Sequence, residues 1–483
     1  MTRSIELPLW LLVLILAFAT VTFASHFLFP SVRWFFRKRL ERAVERLNEK
    51  LERPIEPFKL ARRYDMVQRL SYDPEVAKAI AEHARKSGMP EQVAFETAQR
   101  YAREIVPRFS ATAYFGFGIW IAKLLSRSFY RVRLGAFDEA RLKEIDPDST
   151  IVFVMNHRSN MDYVLVTWLA AERSHLSYAV GEWARVWPLR MLIRSMGAYF
   201  IRRKSRNALY RKVLSRYVRL ATDGGVTQAM FPEGGLSLNG TVGEPKLGLL
   251  SYLVQDFDPE VNRNVVFVPV AMNYDRVLED RVLVRADILG NRRFGLRFKY
   301  VARHIGRHVW QRVTGKFHRF GYASVSFGAP LSLNEYLASH RTEEDPLENL
   351  GHELMSRIRD VVPVLPVPVV AAIMLEQETL TRAEVEARFA ALVSDMEASG
   401  AHVHLPRGDM SYATEVGIRL LSLRKLIVEE GEGPLARYRV NQPDRLILAY
   451  YANSIAHLSD AITTVQMSDL SPAEVADAAG FPD

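Results

Sequence analysis

The 483-residue chain contains no cysteine, which excludes disulfide staples, thiolate metal sites and a cysteine nucleophile, and suits a reducing compartment. It also lacks internal repeats and low-complexity tracts, and its 26 Gly and 23 Pro are ordinary, so collagenous, repeat and disordered architectures are ruled out. Long uncharged runs are scarce as well. Only Leu7 to Phe29 is free of Asp, Glu, Lys and Arg for long enough to span a bilayer, since as a helix it reaches about 35 Å. A cleaved signal peptide is the rival reading, with Phe23-Ala24-Ser25 as a weak cleavage site, but the run exceeds the usual apolar core of such a peptide. Arg33, Arg37, Lys38, Arg39 and Arg42 follow the run and only Arg3 precedes it. The positive-inside rule therefore predicts a transmembrane anchor over residues 1–30 with the C-terminal bulk in the cytoplasm.

What is present is 48% hydrophobic and 25% charged, with 64 Lys and Arg against 55 Asp and Glu, a formal net charge of +9. The length suggests about three domains, and the charge suggests an anionic partner. The excess is concentrated in residues 281–320, where Asp287 is the only acid among many arginines. Phe294, Phe298, Tyr300 and Trp310 are interleaved there, a composition that suits an anionic bilayer surface better than nucleic acid in a chain with an anchor. A plain solvated face is the bland reading.

Residues 31–110 read as a helical N-terminal domain. Phe36, Leu40, Val44, Leu47 and Leu51 recur at helical spacing up to Pro54 and Pro57; Asp73-Pro74 reads as a helix start, Gly88 as its cap and Pro90 as the opening of the next helix. Ala111 to Ile121 is apolar and aromatic but too short to span, hence buried or lying at an interface. Within 111–360, β-rich runs at Ile151–Met155, Leu176–Val180, Ala198–Ile201, Val226–Phe231, Val265–Ala271 and Ala323–Phe327 alternate with helical patterns near 161–171, 183–196 and 206–222. That alternation predicts an α/β domain around a mixed, mostly parallel sheet flanked by helices. Val361 to Leu375 reads as a core or interface strip broken by prolines, opening a helical C-terminal domain over 361–483.

The chemistry-bearing residues follow the strand Ile151–Met155. His157 and Asp162 face each other across a strand-to-helix turn, and a carboxylate on one imidazole nitrogen leaves the other poised to strip a proton from a hydroxyl. With no enzyme nucleophile evident, that hydroxyl belongs to the substrate. Ser159-x-x-Asp162 is equally a helix capping box, which needs no catalysis. Further on, Gly197-Ala198-Tyr199-Phe200-Ile201-Arg202-Arg203-Lys204 ends a strand in clustered cations fit for a phosphate or for lipid headgroups. Phe231-Pro232-Glu233-Gly234-Gly235 closes another strand with glycines that let backbone N–H groups approach an anion, or that make a tight turn. Pro269 interrupts a buried strand, where proline usually marks an edge or a bulge.

In order and spacing, NHRSNMD, GAYFIRR, FPEGG and FVPV resemble the four blocks of the glycerolipid acyltransferase superfamily, and GAYFIRR, Asn273–Asp280 (NYDRVLED) and Tyr450–His457 (YYANSIAH) resemble its glycerol-3-phosphate and dihydroxyacetone-phosphate branch. The resemblance, over residues 110 to 460, implies transfer of a long-chain acyl group from a CoA or acyl-carrier-protein thioester to the sn-1 hydroxyl of glycerol 3-phosphate, the first step of phospholipid synthesis. It implies His157 as general base and Asp162 as its orienter. Arg203, with Arg202, would hold the acceptor phosphate, and Phe200, Ile201, Glu233, Gly234, Ser237 and Pro269 would line the substrate blocks. No metal or bound cofactor is expected, because the thioester is already activated. One departure stands out: where the branch carries arginines after the glycines, this chain has Leu236 and Leu238. Lys246 could supply one charge, and the acceptor could instead be lysophosphatidate or dihydroxyacetone phosphate. A non-catalytic protein using the basic 281–320 face for lipid or nucleic acid is the rival of another class.

Overall fold

The computed structural model describes residues 63–110, 112–170, 177–180, 197–202, 207–255, 257–290, 319–340, 344–431 and 436–465, with Asn48, Ile55, Glu56 and Phe58. The anchor run Leu7 to Phe29, the helix expected from Phe36 to Leu51, the helix near 183–196, Arg203 and most of the basic 281–320 stretch lie outside these residues. Among the described residues no helix is long and apolar enough to cross a membrane. The chain divides into two compact units, Met1–Ile55 and Glu56–Asp483, and the second unit holds both β-sheets.

It opens with helices α1 (Arg63–Ser71), α2 (Pro74–Ser87) and α3 (Glu91–Ile105). The sequence signals at α2 are realised: the Asp73 carboxylate caps the N–H groups of Glu75 and Val76, and Gly88 ends the helix at φ 61°, the left-handed conformation that glycine adopts without strain. Ala111 to Ile121 becomes a π-helix, Thr112–Gly118, running directly into α4 (Ile119–Phe129).

The sheet is built from β1 (Arg131–Leu134), β2 (Thr150–Met155), β3 (Ser177–Val180), β4 (Tyr199–Phe200), β5 (Gln228–Met230), β6 (Val265–Tyr274), β7 (Tyr322–Phe327) and β8 (Leu331–Ser332), in the order β1-β7-β6-β2-β5-β3-β4 with β8 also on β6. Strands β6, β2, β5, β3 and β4 run parallel, while β7 and β8 oppose β6, so the expected mixed, mostly parallel sheet is present. Strand β2, TIVFVM, is buried at every position, as a parallel strand covered on both faces must be. Its side chains alternate. Ile151, Phe153 and Met155 join one apolar core with the C-terminal helices, whereas Val152 and Val154 join another with α1, α2, α3 and α6 (Ala208–Asp223).

Pro269 is a correction to the edge-strand expectation, because β6 is central. Its carbonyl accepts from Gly328 N–H at 2.8 Å, so the side of β6 where a donor is missing faces β7 and β8. β8 pairs with Val266 and Phe267, and β7 takes over only at Val270. The proline sits where the partner changes, so no ladder bond is lost.

The C-terminal region also departs from the expected all-helical reading. After α7 (Asp280–Ile288) and α8 (Pro346–Asp360), the strip Val361 to Leu375 forms a buried helix, α9 (Pro366–Glu376). Pro366 and Pro368 lie in its first turn, where an N–H has no intrahelical acceptor. Helices α10 (Arg382–Ala398), α11 (Met410–Leu423) and α12 (Arg445–Ala452) are joined by an antiparallel sheet of β9 (Thr379–Thr381), β10 (Ile427–Glu430) and β11 (Arg437–Val440). Helix α11 stops at Leu423, and Lys425 turns the chain at φ 59° into β10.

Candidate active site

The carboxyl ends of three adjacent parallel strands converge, which is where open α/β sheets place ligands. β2 delivers residues 156–162, β5 delivers Phe231 to Gly234, and β6 delivers Asn273 to Asp280. Asn156 fixes the first of these by extending the ladder with its side chain: Nδ2 donates to Met272 O at 3.0 Å and Oδ1 accepts from Met272 N at 2.8 Å. The chain then turns into α5 (Met161–Ala170).

The His157 imidazole is 1% exposed and stacks on Phe231 with centroids 4.1 Å apart. Its Nδ1 lies 2.9 Å from Asp162 Oδ2. The same oxygen accepts the N–H groups of Arg158 at 2.7 Å and Ser159 at 3.0 Å. Oδ1 accepts the Tyr274 hydroxyl at 2.5 Å. One buried carboxylate thus has four donors, and the same oxygen makes both the turn-capping contacts and the contact with the imidazole. Ser159 completes the turn differently from a full capping box, since its Oγ accepts from Met161 N at 3.1 Å rather than from Asp162 N. With Nδ1–H committed to an acceptor-only carboxylate, Nε2 is left with the lone pair, the tautomer a general base requires.

Tyr274 escaped the sequence reading, as did Glu279, Arg158 and Tyr450. Burial, and then the Asp162 charge, push the Tyr274 phenol well above its ordinary value, so it remains a donor. The Glu279 carboxylate, raised by burial, accepts from Ser159 Oγ at 2.8 Å and Asn160 Nδ2 at 3.0 Å. Arg158 is 1% exposed; its Nη1 donates to Gly240 O, its guanidinium lies 4.7 Å from the Tyr450 ring centroid, and Nε and Nη2 have no hydrogen-bond partner among the described residues. The only advance signal for these residues is that three of them fall in NHRSNMD or NYDRVLED and the fourth in YYANSIAH.

The third block acts as a brace. Glu233 Oε1 accepts His157 N–H at 2.9 Å and Oε2 accepts Gly243 N–H at 3.2 Å, and burial pushes this carboxyl up to about 7. Gly234 adopts φ 66°, and a Cβ there would lie 2.9 Å from Lys246 Cδ, so Lys246 crosses directly over the glycine. Ser237 Oγ bonds within its loop, to Thr241 O at 2.7 Å and from Gly240 N at 3.1 Å. Leu238 is buried and Leu236 packs beside it in the core, which accounts for apolar residues where the branch carries arginines. The loop is closed against α12: Asn453 Nδ2 donates to Asn239 O at 2.9 Å, and Gly240, at φ 94°, leaves no room for a Cβ against Tyr450 O.

Arg202 is already engaged by a carboxylate. It follows β4, three strands from β2 or about 14 Å across the sheet, at the same carboxyl end. Its Nε and Nη2 grip Glu104 of α3 at 2.9 and 2.6 Å, between Tyr101 and Tyr210. The guanidinium therefore joins the N-terminal helices to the sheet, and Arg203, expected beside it at the acceptor phosphate, lies outside the described residues. Ile201 packs half-buried in the core on the N-terminal side, and Phe200 is the last residue of β4.

An acyltransferase family model matches residues 139–273, through β2, the His157–Asp162 turn and into the end of β6, and a model of the glycerol-3-phosphate acyltransferase C-terminal region matches residues 312–463. The chain carries an acyltransferase domain followed by a glycerol-3-phosphate acyltransferase C-terminal region. Similar curated proteins named glycerol-3-phosphate acyltransferase include those of Xanthomonas campestris pv. campestris, 26% identical over 86% of this chain and 48% of the relative, and Shewanella loihica, 27% over 83% and 50%. That of Aeromonas hydrophila is 28% identical over 79% and 48%. The chain spans about half the length of the curated relatives it matches. A solved 1-acyl-sn-glycerophosphate (LPA) acyltransferase from Thermotoga maritima aligns with 61% of this chain and 95% of its own, at 18% identity and a TM-score of 0.30, too low to equate the two folds.

Proposed function

We propose that this chain transfers a long-chain acyl group from an acyl-CoA or acyl-carrier-protein thioester to the sn-1 hydroxyl of glycerol 3-phosphate. The observation that carries the reading is the buried His157–Asp162 pair, 2.9 Å apart at the carboxyl end of β2. His157 Nε2 takes the proton of the acceptor hydroxyl as its oxygen attacks the thioester carbonyl. The Asp162 carboxylate stabilises the imidazolium that forms. When the tetrahedral adduct collapses, the carbon–sulfur bond breaks and the imidazolium returns its proton to the leaving thiolate, so the balance needs no cofactor. Arg203 and Lys246 supply cations for the acceptor phosphate; Phe200 and Ile201 approach the same end, Glu233, Gly234 and Ser237 shape the loop around it, and Pro269 sits within strand β6, which leads to it. The anchor over residues 1–30 and the basic 281–320 stretch hold the chain on the cytoplasmic face of an anionic inner membrane.

The experiment is acyl transfer from palmitoyl-CoA by detergent-purified protein, with glycerol 3-phosphate, dihydroxyacetone phosphate and lysophosphatidate offered in parallel. Product from glycerol 3-phosphate, lost in His157→Ala, is expected. A second acceptor reading rests on Leu236 and Leu238, whose side chains serve the core; product from lysophosphatidate or dihydroxyacetone phosphate alone would select it. Undiminished turnover by His157→Ala would refute the mechanism.

A further inference from the structure

The π-helix Thr112–Gly118 and α4 make one continuous rod whose inner side, at Ala122 and Ser126, is buried against α5, the helix that carries Asp162. Its outer side is apolar and open. Phe117 is 54% exposed, Trp120 59%, Leu124 48% and Leu125 38%, and Phe117 and Trp120 stack with centroids 6.5 Å apart. Spaced by three, four and one, these four side chains form a single stripe along the rod. A contiguous exposed patch of large apolar side chains is unusual on a soluble surface and marks a contact.

Charge decides the partner. From Ile105 to Phe137 there is no Asp or Glu, while Arg108, Lys123, Arg127, Arg131 and Arg133 are all exposed. Lys123 and Arg127 lie along one border of the stripe. A protein partner would be matched as readily by carboxylates along that border as by cations. A uniformly cationic border beside a tryptophan and leucines instead complements a bilayer with anionic headgroups, where the apolar side chains enter the acyl boundary and the cations stay among the phosphates. The stripe is too short to span, and no described helix does so.

We infer that Phe117, Trp120, Leu124 and Leu125 form a monotopic membrane-contact face that lies in the surface of an anionic bilayer and seats the helix bearing Asp162 against it. This deepens the acyltransferase reading by naming where the site meets lipid, since a fatty-acyl product is itself a membrane component. The contact is distinct from the anchor and from the basic 281–320 stretch.

The absence of cysteine makes the test direct. In the full-length chain, Leu124→Cys and, separately, Phe117→Cys are labelled with an environment-sensitive fluorophore. The protein is reconstituted in vesicles of phosphatidylethanolamine and phosphatidylglycerol, with doxyl-labelled lipid as quencher. Val261→Cys, at a loop position 78% exposed, is the reference. The expected result is blue-shifted emission at 117 and 124, quenched about threefold more than at 261, with the excess weakened when phosphatidylglycerol is replaced by phosphatidylcholine. Labels at 117 and 124 that are quenched no more than at 261 overturn the inference. Quenching unaffected by the lipid exchange overturns its electrostatic half. Acyl transfer by the same proteins in detergent is scored separately, so a failed lipid contact and a failed acyltransferase reading give different patterns.

Discussion

Asp162→Asn separates catalysis from capping. Asparagine can place its carbonyl oxygen where Oδ2 stands and still accept the N–H groups of Arg158 and Ser159 and the Nδ1–H of His157. Its Nδ2 then faces the Tyr274 hydroxyl, which can rotate from donor to acceptor. All four contacts survive in neutral form, and what is lost is the charge. Charge-assisted bonds are roughly twice as strong as neutral ones, but a buried carboxylate also carries a desolvation cost, so the two changes oppose each other and the net loss of stability is about 1–2 kcal/mol. The transition state fares worse, because the imidazolium forms in a site where His157 is 1% exposed and the Asp162 carboxylate lies against its Nδ1. Loss of that carboxylate costs about 10²- to 10⁴-fold in kcat, or roughly 3–5 kcal/mol. The assay is initial rate at saturating donor and acceptor beside thermal unfolding of the same preparations. A variant that loses several degrees in Tm yet keeps its rate within about tenfold would show that Asp162 is a cap and nothing more.

The same geometry fixes three further outcomes. Tyr274→Phe leaves Asp162 Oδ1 buried without a donor, costing about 1–3 kcal/mol of stability; because the carboxylate then holds the imidazolium more strongly, the acid limb of the kcat/KM profile moves to higher pH, a shift that a purely structural role for Tyr274 does not produce. Burial pushes the Glu233 and Asp275 carboxyls up to about 7, above their unfolded values, so the folded state binds extra protons between about pH 4 and 7 and stability falls as pH rises through that window. Tm should therefore be higher near pH 5.5 than near pH 8, and Glu233→Gln, though less stable overall, should flatten the slope; a Tm that climbs from pH 5 to 8 contradicts the assignment. Arg202→Ala breaks a pair with Glu104 that is 36% and 15% exposed and should cost about 1 kcal/mol of stability with little change in acceptor KM, whereas Arg203→Ala should raise that KM; the reverse pattern in glycerol 3-phosphate titrations would return the phosphate role to Arg202.

How much the sequence discloses depends on how local the cause is. His157 and Asp162 are five residues apart on a turn bounded by a β-branched strand and an apolar helix, so their meeting is legible. The cap at Asp73, the left-handed Gly88 and the buried runs of β2 and β6 are local in the same sense. Tyr274 reaches Asp162 across 112 residues and Arg202 finds Glu104 across 98, and no periodicity encodes such pairs. The small sheet of the C-terminal region is hard to read from sequence because IVEE and RYRV are short and charged, and no glycine or proline marks the turn at Lys425. The prolines of α9 misled for a related reason: they argue against a helix interior, but within the first turn they are compatible with one.

Residues 273–280 join the catalytic turn to the C-terminal helices. Asn273 Nδ2 donates to Pro363 O and Ser454 Oγ, and Asp275 accepts the N–H groups of Tyr322 and Val367, the latter in the first turn of α9. Val277 N–H reaches the Tyr451 hydroxyl, and Asp280 is held by Arg424 and Tyr451, each at 2.5 Å. Between these, Tyr274 and Glu279 turn back to the His157–Asp162 turn. Alternate stretches of one segment thus hold the catalytic turn on one side and α9, α11 and α12 on the other. Displacing the C-terminal helices would leave Asp275 and Asp280 buried with fewer partners, each costing about 1–3 kcal/mol or more, and would loosen the strand end that carries the Tyr274 hydroxyl. On the proposed mechanism the C-terminal region would act together with the His157–Asp162 turn, because the carboxylate beside the imidazole is itself held by a strand end that those helices hold.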